Sequence, residues 1–200
     1  MKLIISVLFS WFLCVCSFAS SEFESWKKSF GEKASKKGLS STFVAEQLKS
    51  VDYMPQIIEK DRNQLTLDTK IDYPSFIERW LNSEPPRIKR GKELLAKHNK
   101  VLSKIEKKYN VDKEAIVSLW GVETLYGKIT GDHDIVSVLA TLAYDKRRRS
   151  FFEKELMAAL KILKEGHIKR KDFKGSWAGA MGQCQFMPTS FLMYAQDFNG

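Results

Sequence analysis

Apolar residues at helical spacing are the feature that most constrains the fold of this chain. In "GKELLAKHNKVLSKIEKKYN" they recur at intervals of three, four and seven residues, as on one face of an α-helix. The opposite face is mostly lysine, so the pattern predicts one amphipathic helix. The apolar positions are Leu94, Leu95, Val101, Leu102, Ile105 and Tyr109.

Other stretches repeat this spacing, and no run of residues predicts a strand with comparable strength. "NVDKEAIVSLWGVETLYG" predicts a helix that begins after Asp112, a plausible N-cap, and ends at Gly127. Residues 22–85 indicate short helices joined by loops. The predicted fold class is mainly α. Two more helices are indicated by stripes at Ile135, Val138, Leu139 and Leu142, and at Phe152, Leu156, Ala159 and Leu163.

The segment "GSWAGAMGQCQFMPTSFLMYAQDFNG" follows neither period, because glycines stand among aromatic and amide side chains. It predicts a loop and then a short helix from Thr189. Glycines in such a loop would let a ligand approach the backbone closely.

The first segment, "MKLIISVLFSWFLCVCSFAS", has the anatomy of a secretory signal peptide: a lysine, an apolar run and small residues. We predict a signal peptide over residues 1–19 and export to the periplasm. A membrane helix is the competing interpretation, although the run is short for a full span. Cys16 could accept a lipid, but Val15 before it is bulkier than the small residue such a site normally wants, so a lipid anchor is disfavoured.

The formal net charge is +9, and the basic residues are spread over several segments rather than one tail. Such a charge favours an anionic polymer as partner. Export and the absence of a recognition motif argue against nucleic acid. Association with an acidic cell-wall or membrane surface fits the composition better.

One glutamate stands among apolar neighbours in "SLWGVETLYGK". On a helix, Glu123 follows Leu119 by four residues and Trp120 by three, so the three side chains share a face. We expect the carboxylate to point toward the core or a cleft, where apolar surroundings would leave a proton available near neutral pH for general acid catalysis. A partly exposed glutamate at the edge of the stripe, or one paired with Arg148, is the alternative.

Three segments in order carry a resemblance to a known family: "WGVETLYG", "LATLAYDKRR" and the glycine-rich segment quoted above. They resemble the membrane-bound lytic murein transglycosylase B family, which has a lysozyme-like, α-rich catalytic domain. The resemblance also takes in the weaker "IIEKDRNQ" and "RIKRGKELLAKH". It implies a lysozyme-like catalytic domain over residues 86–200, preceded by an N-terminal helical segment of the catalytic region over residues 20–85.

That family cleaves the β-1,4 bond between N-acetylmuramic acid and N-acetylglucosamine in peptidoglycan without water, leaving a 1,6-anhydromuramyl end. The resemblance implies Glu123 as the catalytic acid and then base, peptidoglycan strands as the partner of a monomer, and no required cofactor. For the two arginines at 148 and 149, pairing with acidic residues inside the fold remains an open alternative. The implied substrate contacts are Ser176, Gln185, Arg148, Arg149 and Tyr126.

Family members continue at this point through an EF-hand-like calcium loop, and the resemblance implies Asp197 and Asn199 as its first two ligands. The domain is therefore expected to be truncated within this loop, with an incomplete calcium site. Two other functions stay open. One is a non-catalytic peptidoglycan-binding remnant of the family. The other is a hydrolytic muramidase, which would use water and a second carboxylate.

Overall fold

The structure, a computed structural model, describes residues 21–64, 72–81 and 86–198. The predicted signal peptide and Asn199 lie outside these residues. Within the described residues, two short strands, β1 (His133–Asp134) and β2 (Lys174–Gly175), and one 3-10 turn accompany the helices. The described helices are α1 (21–35), α2 (Ser41–Lys49), α3 (Pro55–Arg62), α4 (Tyr73–Leu81), α5 (Arg87–Tyr109), α6 (Lys113–Thr124), α7 (Ile135–Tyr144), α8 (Arg149–Lys164) and α9 (Pro188–Tyr194).

Helix α7 lies at the centre of the main core. Every residue from Ile135 to Ala143 except Ser137 is buried, so burial extends around the helix beyond the predicted stripe. Helices α1, α2, α3 and α8 surround it, and two aromatic rings of α1 make edge-to-face contacts with Tyr144 at its end. The mainly α fold class is confirmed.

A second, smaller cluster lies between α5 and α6, around Leu94, Leu102 and Val117. It uses the apolar stripe that the sequence indicates for α5, while the lysines of this helix are exposed. In the part of the chain that the structure describes, none of the helices is long and apolar enough to cross a membrane.

The proposed division at residue 85 falls in a segment that is not described. On its two sides, however, α1–α3 and α7–α8 contribute side chains to one shared core, so the N-terminal helices are packed on the later ones. The domain boundary itself stays a prediction.

The sequence did not indicate the two strands. They pair antiparallel, with His133 opposite Gly175, and each has only two residues, too few for an alternating pattern. The chain before β1 lies very close to β2, since a Cβ at Gly131 would be 2.2 Å from the carbonyl oxygen of Gly175. This pairing holds the start of the following glycine-rich loop, residues 175–187, beside the segment after α6.

Candidate active site

Glu123 is the second-to-last residue of α6 and is exposed. Of the two places expected for its side chain, the core is excluded by this exposure, and a cleft stays a prediction. Leu119 and Val122 beside it are also exposed, at 61% and 52%. The inward face of α6 is instead formed by Gly121 and Thr124, because the glycine leaves room for an aromatic ring from the next turn.

That ring belongs to Tyr126. A Cβ at Gly121 would lie 2.6 Å from its Cζ, and one at Gly91 of α5 would lie 2.7 Å from its hydroxyl oxygen. The hydroxyl donates a hydrogen bond of 2.7 Å to the carbonyl oxygen of Arg87, and burial raises the pKa of this phenol above its ordinary value. Tyr126 therefore packs α5 against α6, and its predicted contact with substrate stays a prediction.

The chain leaves α6 through three consecutive residues with positive φ, namely Leu125 at 53°, Tyr126 at 58° and Gly127 at 81°. Such a conformation is unfavourable for the first two, so it must be held by contacts. One contact is the hydroxyl of Thr124, which accepts a hydrogen bond of 3.0 Å from the N–H of Gly127.

The same hydroxyl connects α6 to the glycine-rich loop. It donates a hydrogen bond of 2.8 Å to the carbonyl oxygen of Gln183, and Thr124 is only 1% exposed. Gly127 also lies against this loop, because a Cβ there would be 2.5 Å from Oε1 of Gln183. Thr124 was not predicted as a site residue, although its spacing from Val117 and Gly121 places it on one helix face with them.

Ser176 organises the first part of the glycine-rich loop. Its hydroxyl oxygen accepts hydrogen bonds from the N–H groups of Ala178 and Ala180, at 3.3 and 3.0 Å. Its backbone N–H donates to the carbonyl of Ala180, and its carbonyl accepts from Gly179. Among the described residues, the hydrogen of the Ser176 hydroxyl has no acceptor.

Gln185 joins the second part of the loop to the segment after α6. Its amide nitrogen donates to the carbonyl oxygens of Thr130, at 3.1 Å, and Gly182, at 2.9 Å. Its φ of 48° is in the left-handed region. The structure thus places Ser176 and Gln185 in one loop and brings that loop to the end of the helix that carries Glu123.

Arg148 has a partner inside the fold. Its guanidinium pairs with Asp61 of α3, and Arg147 donates to the other oxygen of the same carboxylate at 2.5 Å. Asp61 is buried. Of the two roles that the sequence left open for Arg148, pairing with an acidic residue is the one seen here.

Arg149 is likewise used by the protein itself. Its guanidinium donates to the carbonyl oxygens of Ala143 and Tyr144, at 3.2 and 2.9 Å. These carbonyls belong to the last turn of α7, which leaves them without partners in the helix. Contact of Arg148 or Arg149 with substrate stays a prediction.

The predicted calcium loop falls at the end of the described residues. Asp197 is exposed and Asn199 lies beyond them. Within residues 21–64, 72–81 and 86–198, no three side chains of histidine, cysteine, aspartate or glutamate come together as metal ligands.

Comparison with known proteins gives consistent results. The profile of the family described as Transglycosylase SLT domain matches residues 22–200. The chain is 37% identical over 117 residues to membrane-bound lytic murein transglycosylase B of Escherichia coli (strain K12). The matched region covers 58% of this chain and 32% of that protein.

Solved structures are similar over most of the chain. SltB3 of Pseudomonas aeruginosa superposes with a TM-score of 0.81 and 38% sequence identity. The match covers 89% of this chain and 46% of SltB3. SltB3 was solved in complex with NAG-NAM-pentapeptide and with NAG-anhNAM-pentapeptide. Escherichia coli lytic transglycosylase Slt35 in complex with calcium gives a TM-score of 0.76 and 29% identity over 87% of this chain and 55% of its own. The chain thus spans about a third to just over half of these relatives.

Proposed function

The chain belongs to the transglycosylase SLT domain family, and on that premise we propose that it is an exported lytic transglycosylase of periplasmic peptidoglycan. It would cleave the β-1,4 bond between N-acetylmuramic acid and N-acetylglucosamine and leave a 1,6-anhydromuramyl end. This role agrees with the sequence resemblance and with the ligands named for SltB3.

Glu123 would carry the chemistry alone. Its carboxyl group first donates a proton to the oxygen of the leaving N-acetylglucosamine as the glycosidic bond breaks. The resulting carboxylate then accepts the proton of the muramyl C6 hydroxyl while that oxygen attacks C1. The Glu123 carboxyl group donates one proton and accepts one, so it ends in its starting form. The reaction needs neither water nor a second carboxylate, unlike in a typical glycosidase.

The observation that carries the proposal is the hydrogen bond from Thr124 to Gln183. Thr124 directly follows Glu123, so this bond attaches the helix turn that carries the proposed acid to the glycine-rich loop that contains the two predicted sugar contacts. A glycan strand lying along that loop would reach the end of α6.

The exposed surroundings of Glu123 suit a bound sugar. Leu119 and Val122 offer apolar surface beside the carboxylate, and a pyranose ring covering them would exclude water from it. In the loop, the hydroxyl hydrogen of Ser176 is available to a sugar oxygen, and Gln185 can present its amide oxygen to an N-acetyl group.

The test is mass spectrometry of fragments released from purified peptidoglycan by the wild-type chain and by Glu123→Gln. Glu114→Gln is a matched control, because Glu114 is also an exposed glutamate on α6. We expect anhydromuramyl ends from the wild type and the control and none from Glu123→Gln.

Other outcomes distinguish the alternatives. Binding of peptidoglycan without new ends from any of the three proteins would indicate a wall-binding remnant of the family. Reducing muramic ends would indicate hydrolysis by water and would overturn the proposed mechanism.

A further inference from the structure

A buried carboxylate on α8 has no part in the chemistry proposed above. Glu155 is 2% exposed and lies on the face of α8 that packs in the main core, next to Leu156. Placing an acidic side chain in such a position is unfavourable unless hydrogen bonds compensate for the lost water. Its partners should therefore show what it does.

Both partners belong to one residue. The backbone N–H of Thr189 donates to one carboxylate oxygen of Glu155 at 2.9 Å, and the Thr189 hydroxyl donates to the other at 2.6 Å. Thr189 is the second residue of α9, which begins directly after the glycine-rich loop. The carboxylate thus joins α8 to the point where the loop becomes a helix.

Helix α9 has no side-chain cap of its own. Its N-cap residue, Met187, makes no capping hydrogen bond, and Pro188 at the first helical position has no N–H. The N–H of Thr189 is then the first one that needs an acceptor. Glu155 supplies this acceptor from another helix, and its charge suits the positive end of α9.

The capped position lies close to the candidate sugar contacts. Gln185 precedes Thr189 by four residues. An isolated β-bridge joins Met181 to Phe186 just before this turn, and the N–H of Met181 donates to the carbonyl oxygen of Phe186 at 2.9 Å. Freeing the start of α9 would free this second part of the loop.

We infer that Glu155 is a positioning residue for the glycan site: by capping α9 at Thr189 it holds residues 181–187, including Gln185, against the end of α6. This inference rests on the proposed function. A purely structural role would affect the stability of the core, whereas a positioning role affects the loop and its ligand selectively.

The substitutions separate geometry from charge. Glutamine at position 155 can keep both hydrogen bonds, because its carbonyl oxygen accepts from the Thr189 N–H and its amide donates to the Thr189 hydroxyl. Glu155→Met fills similar space but leaves the N–H without an acceptor. Ile162→Val is the matched control, as it trims a buried side chain on the same helix.

The first measurement is amide hydrogen exchange, which needs no substrate. The Met181 amide is hydrogen-bonded within the loop, and we expect its exchange to be about tenfold faster in Glu155→Met and near wild type in Glu155→Gln. In Ile162→Val, exchange of the Met181 amide should change no more than exchange of the amides of α7. Unchanged exchange in Glu155→Met would overturn the inference.

Should Glu155→Met unfold globally, Thr189→Val provides a milder test, since it removes only the hydroxyl bond. We expect faster exchange of the Met181 amide in this variant with α7 unaffected. Equal exchange in Thr189→Val and wild type would then overturn the inference.

The second measurement is the affinity for NAG-NAM-pentapeptide, together with KM and kcat for cleavage of purified peptidoglycan. We expect Glu155→Met to weaken binding and raise KM by about tenfold, with Glu155→Gln restoring both. A looser loop with unchanged affinity would overturn the glycan role while leaving the proposed function intact. A wild-type chain that neither binds nor cleaves would overturn the proposed function and the glycan role together, and hydrogen exchange would still report the cap.

Discussion

The hydroxyl of Thr124 donates a hydrogen bond of 2.8 Å to the carbonyl oxygen of Gln183, and through it the last turn of α6 is attached to the glycine-rich loop. The same oxygen accepts the N–H of Gly127 at 3.0 Å. One buried hydroxyl therefore holds both the backbone that leaves the helix and the loop that faces it.

Replacing this hydroxyl should lower both activity and stability. Thr124→Val keeps the shape but breaks both hydrogen bonds, so we expect cleavage of peptidoglycan to fall about tenfold to hundredfold and stability by roughly 1–3 kcal/mol. Turnover assays and urea unfolding measure the two effects. Thr124→Ser, which keeps the hydroxyl, is the control, and full activity of Thr124→Val would contradict this role.

Asp61 should matter for stability, because its carboxylate pairs with both Arg147 and Arg148. We expect Asp61→Ala to lower the free energy of unfolding by about 2 kcal/mol, since two charge-assisted hydrogen bonds are lost. The arginines are each partly exposed and can be hydrated, which keeps the cost below that of a fully buried pair. Glu59→Ala, an exposed change on the same helix, should have little effect in the same urea titration.

Gly121 should not tolerate a side chain while Tyr126 is in place. An added Cβ would lie 2.6 Å from the tyrosine ring, so Gly121→Ala should destabilise the protein by about 1–3 kcal/mol despite the better helix propensity of alanine. Thermal unfolding of Gly121→Ala, Tyr126→Leu and the double variant forms a cycle. Because Tyr126→Leu relieves the clash, the double variant should lose less stability than the two single variants lose together. Strictly additive losses would contradict the contact.

Stability should fall in alkaline solution because of three partly buried tyrosines. Burial raises the pKa of Tyr126 above its ordinary value of 10.0, and the pKa values of Tyr53 and Tyr144 shift in the same direction with burial as the main cause. The folded state therefore holds these protons to higher pH than the unfolded chain does. Their contribution is complete below pH 10.0 and is lost as the pH rises through the folded-state values.

The measurement is the urea midpoint as a function of pH for the wild type and Tyr126→Phe. The variant lacks one titrating phenol, so its midpoint should fall less steeply above pH 10.0. Identical slopes would show that Tyr126 does not contribute to the alkaline loss.

The helices follow from the sequence because their signals are local. The stripe of Leu94 and Leu102, the apolar stripe of α7 and the proline before Thr189 each act within a few residues, and the structure has helices at all three places. The resemblance to the transglycosylase family is confirmed as well, since it depends on which residues occur in which order. The two short strands carry no comparable local signal.

The directions and partners of the site residues were decided by the tertiary structure. Glu123 and Thr124 are adjacent in a segment that contains both apolar and polar residues. The spacing alone favoured Glu123 as the residue that points inward. Packing of the Tyr126 ring against Gly121 set the rotation of α6, turning Thr124 inward and Glu123 to the surface.

Long-range pairing decided the roles of the other charged residues. Arg148 meets Asp61, which is 87 residues away in sequence, and Glu155 meets Thr189 across 34 residues. No periodicity or spacing encodes such pairs, because they exist only once α3, α7, α8 and α9 have packed around a common core. The sequence thus determined where helices form and which chemistry is present, and packing determined which of those side chains face one another.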